Sequence, residues 1–298
     1  MKAIHLVFLI LISCTITKQI IPIEEGLPIQ IYFCPENNCS AILLSNIKNA
    51  STVKCAFYHL NIPELIQTLQ EKNATIITDD QYIDELTNID ATADASKALM
   101  HNKFCILDNQ TVITGSYNPT PSKKADDLII IQSKYLARNY LEEFQEMQHG
   151  KFHGGKKVKD PTIIYNNATI HNSFCPEDNC AEKVLKTLQK AQNNIKFILY
   201  QLTDTKIIEV LEKTKAKIQG ILDTNQKQNK LLKKILNKSK IQKNIHHKLF
   251  IIDNTTIITG SYNPTKNGNT KNDENLIIIE DKIIAEKYLK RFNKLIDH

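Results

Sequence analysis

Tryptophan is absent from the 298 residues, and aromatic residues of every kind make up only 7%. Tryptophan seats readily at a membrane–water boundary, so its absence counts against an aromatic loop built to enter a bilayer surface. The two most variable stretches, residues 79–100 and 223–244, are polar and supply no such loop either. Long apolar runs are also lacking. A bilayer-crossing helix takes about 20 apolar residues, and the run from Ala3 to Ser13, behind the charged Lys2, stops short of that. Its length and charged flank fit the apolar core of a secretory signal instead. Glycine is scarce, and three of the eight (Gly150, Gly154 and Gly155) fall in a short segment that reads as a surface linker.

Residues 1–20 are therefore expected to be a signal peptide or an N-terminal anchor, with the mature protein secreted or held at the cell surface. Leu11-Ile12-Ser13-Cys14 resembles a bacterial lipobox, which would make Cys14 a lipidated residue; simple cleavage nearby is the alternative. The formal charge of +6 is unevenly spread. Residues 1–150 carry 11 Lys/Arg against 17 Asp/Glu, whereas residues 151–298 carry 27 against 15. The second half alone has the balance of a surface that faces a polyanion. A merely Lys-rich solvated surface is the competing explanation, since Ile, Asn and Lys abound throughout.

Six cysteines remain after Cys14. Four lie in a motif written twice, Phe33-Cys34-Pro35-Glu36-Asn37-Asn38-Cys39 and Phe174-Cys175-Pro176-Glu177-Asp178-Asn179-Cys180. In an exported chain two local disulfides are the leading expectation. A zinc site using all four is the rival, although structural zinc ligands usually come as closer pairs. Cys55 and Cys105 align with Phe197 and Phe250 of the second copy, a joint exchange of small sulfur for large ring. The two positions are therefore expected to touch, as a third disulfide or as two buried thiols.

Each half has one order of elements: an apolar stretch into the Cys-Pro-Glu motif, a helix, a strand (VKCAFYHL or IKFILYQL), a second helix and a short strand. After a polar stretch comes a hairpin with turns at Asn109-Gln110 and Asn254-Thr255. A run buried on both faces follows (from Leu128 or Leu276), then a terminal amphipathic helix. Alternating strands and helices indicate an α/β architecture. The expected organisation is one domain over residues 21–150, a linker over 151–161 and a second domain over 162–298.

The hairpin carries the most informative pattern. It reads His101-x-Lys103-x4-Asp108-x6-Gly115-Ser116-x-Asn118, and again His246-x-Lys248-x4-Asp253-x6-Gly260-Ser261-x-Asn263. Strand alternation puts each His and its Lys on one side. Asp108 and Asp253 would face the other side and read as structural. Gly115 and Gly260 end a strand where backbone could approach a ligand, and the Ser and Asn beyond offer donors for phosphate oxygens. Two histidines with pKa values pushed apart can divide the work of nucleophile and leaving-group acid, while the lysines and Ser/Asn pairs hold negative oxygens. That scheme demands no metal and no cofactor. His247 falls on the opposite strand face, and His149, His153 and His171, in or near the linker, read as solvated.

The doubled motif resembles the HKD signature of the phospholipase D superfamily, with both copies intact and the repeat covering nearly everything after residue 28. The resemblance implies two α/β sandwich domains in a pseudo-twofold bilobal unit, with one site at their interface and both motifs supplied by a single chain acting as a monomer. It also implies a covalent phosphohistidine, with His101 as nucleophile and His246 as acid. An acidic residue downstream often orients such a histidine. Glu274 fits that place in the second half and the shorter Asp126 in the first, which leaves the first-half partner open. The basic second half, the minimal length and a likeness to the superfamily's small nuclease branch favour a metal-independent nuclease acting on DNA or RNA. A phospholipase D or phosphatidyltransferase acting on membrane phospholipid is the alternative.

Overall fold

A computed structural model describes residues 20–297; the expected leader and Cys14 lie outside the described residues. The repeat is visible as two sheets with the same strand order. In the first half, strands run Gln30–Cys34, Asp126–Gln132, Thr111–Gly115, Lys103–Leu107, Val53–Phe57, Thr75–Asp79 and Asp90–Asp94 across a seven-stranded sheet. In the second half, Ala168–Cys175, Glu274–Glu280, Thr256–Gly260, Lys248–Ile252, Asn194–Leu199, Lys217–Asp223 and Ser239–Gln242 take the same places. Two further strands border this second sheet, and one of them, Ile23–Glu24, comes from the start of the chain and pairs in parallel with Ile164 and Tyr165.

Each run expected to be buried on both faces is a strand between two cores. Ile129 and Ile131 enter a central core while Leu128 and Ile130 enter an outer one. Ile277 and Ile279 against Leu276 and Ile278 repeat the division. The central core is shared: Phe104, Tyr140 and Phe144 of the first half pack in one cluster with Phe174, Tyr288 and Phe292 of the second. The terminal helices Lys134–Gln148 and Lys282–Asp297 contribute to it. Outside each sheet lies a pair of helices, Cys39–Asn49 with Pro63–Glu71 and Cys180–Gln189 with Thr205–Lys213. Among the described residues no helix is long and apolar enough to cross a membrane.

Three disulfides are present among the described residues: Cys34–Cys39, Cys175–Cys180 and Cys55–Cys105. Such bonds persist in oxidising compartments and so point to folding outside the cytoplasm. The third joins directly opposed residues of adjacent antiparallel strands. At the equivalent place Phe197 opposes Phe250, with ring centroids 6.2 Å apart. Both outer cores are thus filled at the same point, once by covalent sulfur and once by two rings.

The hairpin turns are centred one residue earlier than expected. Asp108 and Asn109 have φ of 53° and 52°, and Asp253 and Asn254 have 51° and 56°. Two successive left-handed residues make the turn whose twist matches the flanking strands, and Gln110 N–H closes the first one on Leu107 O at 3.0 Å. Each aspartate then reaches out to neighbouring backbone. Asp108 accepts from Ser51 and Thr52 N–H at 2.8 Å, and Asp253 accepts from Gln192, Asn193 and Asn194. The polar stretches 79–100 and 223–244 are not loops throughout: each delivers the last strand of its sheet.

Candidate active site

The two motif histidines are held by residues of the opposite half. His101 donates its backbone N–H to Asp273 O at 2.9 Å, and its Nδ1 lies 2.7 Å from Glu274 Oε2. His246 donates N–H to Ala125 O at 3.0 Å, with Nδ1 2.7 Å from Asp126 Oδ1. The acid open in the sequence is thereby placed, and the pairing is crossed: Glu274 serves the first histidine and Asp126 the second. With Nδ1–H given to a carboxylate, each ring keeps its Nε2 lone pair, and Lys248 Nζ approaches that of His246 to 3.1 Å. Lys103 and Lys248 stand beneath, almost wholly buried, and their Nζ atoms donate to the backbone oxygens of His101 (2.7 Å) and His246 (2.8 Å).

Ser116 and Ser261 were expected to bind phosphate, but the structure buries both completely beneath the cleft. Ser116 Oγ donates to Asp127 Oδ1 at 2.8 Å, and Ser261 Oγ donates to Glu274 Oε2 at 2.7 Å. They fix carboxylates. Asn118 and Asn263 do line the cleft, and the Oδ1 of each lacks a hydrogen-bond partner. Gly115 and Gly260 are explained by packing rather than by a ligand. Their φ values are 140° and 133°, and a Cβ would stand 2.3 Å from Asp127 O or Asn275 O of the neighbouring strand.

The cleft between the halves has a volume of about 710 Å³ and takes in His101, His246, Asp126 and Lys124. Tyr58 and Tyr200 occupy matching places over the histidines, with ring centroids 5.0 Å from His101 and His246 and tilts of 60° and 59°. Lys103 Nζ is 5.3 Å from the Tyr58 ring, and Lys248 Nζ is 5.6 Å from that of Tyr200. The two walls differ beyond that. His59 stacks on Tyr82 at 3.8 Å on the first side, while Lys124 lies over Tyr200 on the second.

Burial sets the charges. Loss of water pulls His101 down to about 4 despite the opposing pull of Glu274, and Lys103 and Lys248 add to the fall. His246 is driven well down by burial and then by the same two lysines. Burial also brings Lys248 down to about 8 and raises Asp126 to about 6. Asp127 behaves oppositely: burial would raise it, but bonds from His247, Ser116 and Tyr288 hold it down to about 2. Both catalytic candidates are therefore neutral bases in the free cleft, and an anion arriving between the lysines would favour protonation of one of them.

Residues 64–148 and 184–296 match the family described as cardiolipin synthase, PLD-like domain, more than half of the chain. The chain belongs to the phospholipase D superfamily. It is a phosphodiester hydrolase by that membership, and its fold is the superfamily's bilobal α/β arrangement. It is 30% identical over 138 residues to a phospholipase D of Rickettsia prowazekii, covering 43% of this chain and 67% of that one. It is 39% identical over 51 residues to the mitochondrial cardiolipin hydrolase of Xenopus laevis, covering 17% of this chain and 24% of that one. The solved phosphatidylserine synthase of Haemophilus influenzae aligns over 88% of this chain and 85% of its own, with a TM-score of 0.65 and 11% identity, a likeness of fold.

In this phospholipase D-like chain sequence reasoning passed over several residues. Tyr58 and Tyr200 share one position of the repeat (AFYHL, ILYQL), and that was the available signal. His247, on the face away from the cleft as expected, is fully buried with Nδ1 3.2 Å from Asp127 Oδ1. In the repeat Asn102 stands where His247 does and Asn275 where Asp127 does, so this ionisable pair has an amide counterpart. His149 is exposed. The expectation that His153 is solvated fails, because its ring lies between Asp94 and Asp273.

Proposed function

We propose that the protein cleaves nucleic-acid phosphodiesters through a covalent phosphohistidine. The observation that carries this reading is the character of the cleft between the crossed His–acid pairs. Its lining is Tyr, Asn, Thr, Ser, Gln, Lys and His with the single acid Asp126, and Leu99 is the one aliphatic side chain among the described residues that form it. Lys124 and Lys266 at the cleft and the net positive second half suit a chain of phosphates, and the half-buried rings of Tyr58, Tyr82 and Tyr200 on its walls suit bases.

In the first step His101 Nε2 attacks phosphorus. The bond from phosphorus to the leaving oxygen breaks, and protonated His246 gives its Nε2 proton to that oxygen. In the second step neutral His246 takes a proton from water, the water oxygen bonds to phosphorus, and the phosphorus–nitrogen bond breaks to return neutral His101. Lys103, Lys248, Asn118 and Asn263 stabilise the charge on the non-bridging oxygens. Asp108 and Asp253 stay outside the chemistry, fixing the hairpin ends.

A second reading, release of a phospholipid headgroup, is favoured by the names of the relatives, phospholipase D and cardiolipin hydrolase. The deciding experiment offers the mature protein single-stranded DNA, duplex DNA, RNA, and vesicles of phosphatidylcholine or cardiolipin, with His246→Ala alongside. Cleavage of a nucleic acid that the variant lacks supports the nuclease. Headgroup release with all nucleic acids intact overturns it in favour of the lipid enzyme.

A further inference from the structure

The linker between the halves carries a histidine that the cleft does not use. His153 is held in a left-handed conformation (φ 60°) and its side chain is 20% exposed. One ring nitrogen is fully engaged: Nε2 lies 2.6 Å from Asp94 Oδ2 and 2.6 Å from Ser96 Oγ. Asp94 ends the outermost strand of the first sheet and is buried. The other nitrogen, Nδ1, lies 3.3 Å from Oδ2 of Asp273, a second-half residue only 2% exposed.

These last two atoms are the informative ones. His153 Nδ1 and Asp273 Oδ2 are both buried and lie 3.3 Å apart as an ion pair, yet neither makes a hydrogen bond. The remaining oxygen of Asp273 accepts the His153 backbone N–H at 2.6 Å, which fixes the carboxylate against the linker. Leaving a ring nitrogen and a carboxylate oxygen without a hydrogen bond in a buried place is costly. A tetrahedral zinc ion with ligands at about 2.0–2.1 Å sets its ligand atoms about 3.3 Å apart. That is the separation found here. A ligating histidine commonly gives its other ring N–H to a carboxylate, which sets the tautomer and the ring plane. Asp94 is in that position. The three groups together bring one ligand atom each within 4.8 Å of one another, and Glu177 nearby adds a buried Oε2 with no hydrogen-bond partner.

We propose that His153 Nδ1 and Asp273 Oδ2 bind a divalent transition-metal ion, zinc being the best fit, with Asp94 orienting the imidazole and water completing the shell. The mix of nitrogen and oxygen donors favours such an ion over calcium or magnesium, which take oxygen. The site is structural, not part of the phosphoryl chemistry. Asp273 O accepts the His101 backbone N–H, Asp273 N–H donates to Leu99 O at 2.9 Å, and Glu274 is the next residue. An ion here would pin the linker to the segment that carries the acid of His101.

The test titrates ZnCl2, with MnCl2 and CaCl2 in parallel, into full-length chelator-stripped protein by calorimetry, and follows thermal unfolding with and without each ion. One equivalent of Zn2+ should bind saturably and raise the unfolding temperature, with Ca2+ at least tenfold weaker. His153→Ala and Asp273→Asn should each weaken Zn2+ at least about 100-fold, and Asp94→Asn about tenfold. His149→Ala, an exposed linker-side control, should leave binding unchanged. Absence of saturable Zn2+ binding, or unaltered affinity in His153→Ala, overturns the proposal. Should Asp273→Asn fail to fold, His153→Ala in the linker still decides.

Discussion

Glu274 Oε2 lies 2.7 Å from His101 Nδ1 although 173 residues separate them, and it also accepts the Ser261 hydroxyl at 2.7 Å. The acid of one half is thus fixed by its own half's serine and offered to the other half's histidine. Asp126 makes the reciprocal contact with His246. Neither half by itself supplies a motif histidine together with its acid.

Because Glu274 and Asp126 touch histidine and not substrate, they are positioning residues. Glu274→Gln and Asp126→Asn should each lower kcat by about 10- to 100-fold with little change in KM, as loss of a carboxylate behind a working histidine does. Glu274→Asp should recover part of the loss. Steady-state kinetics on one phosphodiester substrate gives the split, and an effect on KM alone would show that the carboxylates act in binding.

His101→Ala and His246→Ala should each reduce turnover by more than about 100-fold, the lower bound for loss of an acid–base or nucleophilic group. The two differ in what accumulates. With His246→Ala, a substrate bearing a good leaving group should leave a phosphoryl group on His101, detectable by mass spectrometry of acid-free digests. Finding it on His246 in the His101→Ala protein instead would reverse the roles.

The pH profile follows from two shifted groups. Asp126, raised to about 6, loses its charge as pH falls through that value and then no longer holds His246. Lys248, lowered to about 8, loses its positive charge as pH rises through that value. kcat/KM should therefore fall on both sides of a plateau between about 6 and about 8. In Asp126→Asn the acid limb should move to lower pH; an unmoved limb would assign it to another group.

Turnover should survive excess EDTA, since no step above runs through a metal, while the unfolding temperature should fall as the linker ion is withdrawn. Loss of turnover restored by a divalent ion would place a metal in the reaction.

The Cys55–Cys105 bond closes 50 residues of the first half. Cys55→Ala/Cys105→Ala should cost about 2–4 kcal/mol in denaturant unfolding. Non-reducing peptide mapping should recover Cys34–Cys39 and Cys175–Cys180 as linked peptides. Zinc on those four thiols would overturn the assignment.

The sequence made the motif positions and the order of elements along the chain legible because they are written twice, and a duplicated pattern of polar residues is hard to produce by packing alone. The duplication hid the crossing: Asp126 and Glu274 align with each other, and alignment cannot say which histidine each one meets. Ser116 and Ser261 were misread because the chemistry of a hydroxyl is the same over a cleft and beneath it; burial decides, and burial is a property of the whole fold. Gly115 and Gly260 were misread for a like reason, the close neighbour being backbone rather than ligand. His153 was misread as solvated, since the aspartates that enclose it lie 59 residues before and 120 after.

The central core and the crossed acids have a consequence for synthesis. As the chain emerges from the ribosome, His101 appears long before Glu274, and the apolar face of the first sheet waits for strands that end at residue 280. A nascent first half therefore has neither an oriented nucleophile nor a covered core. The cell making this hydrolase meets it first as an inert, unfinished polypeptide, and activity cannot begin before Glu274 and the strand that carries it have been made and folded.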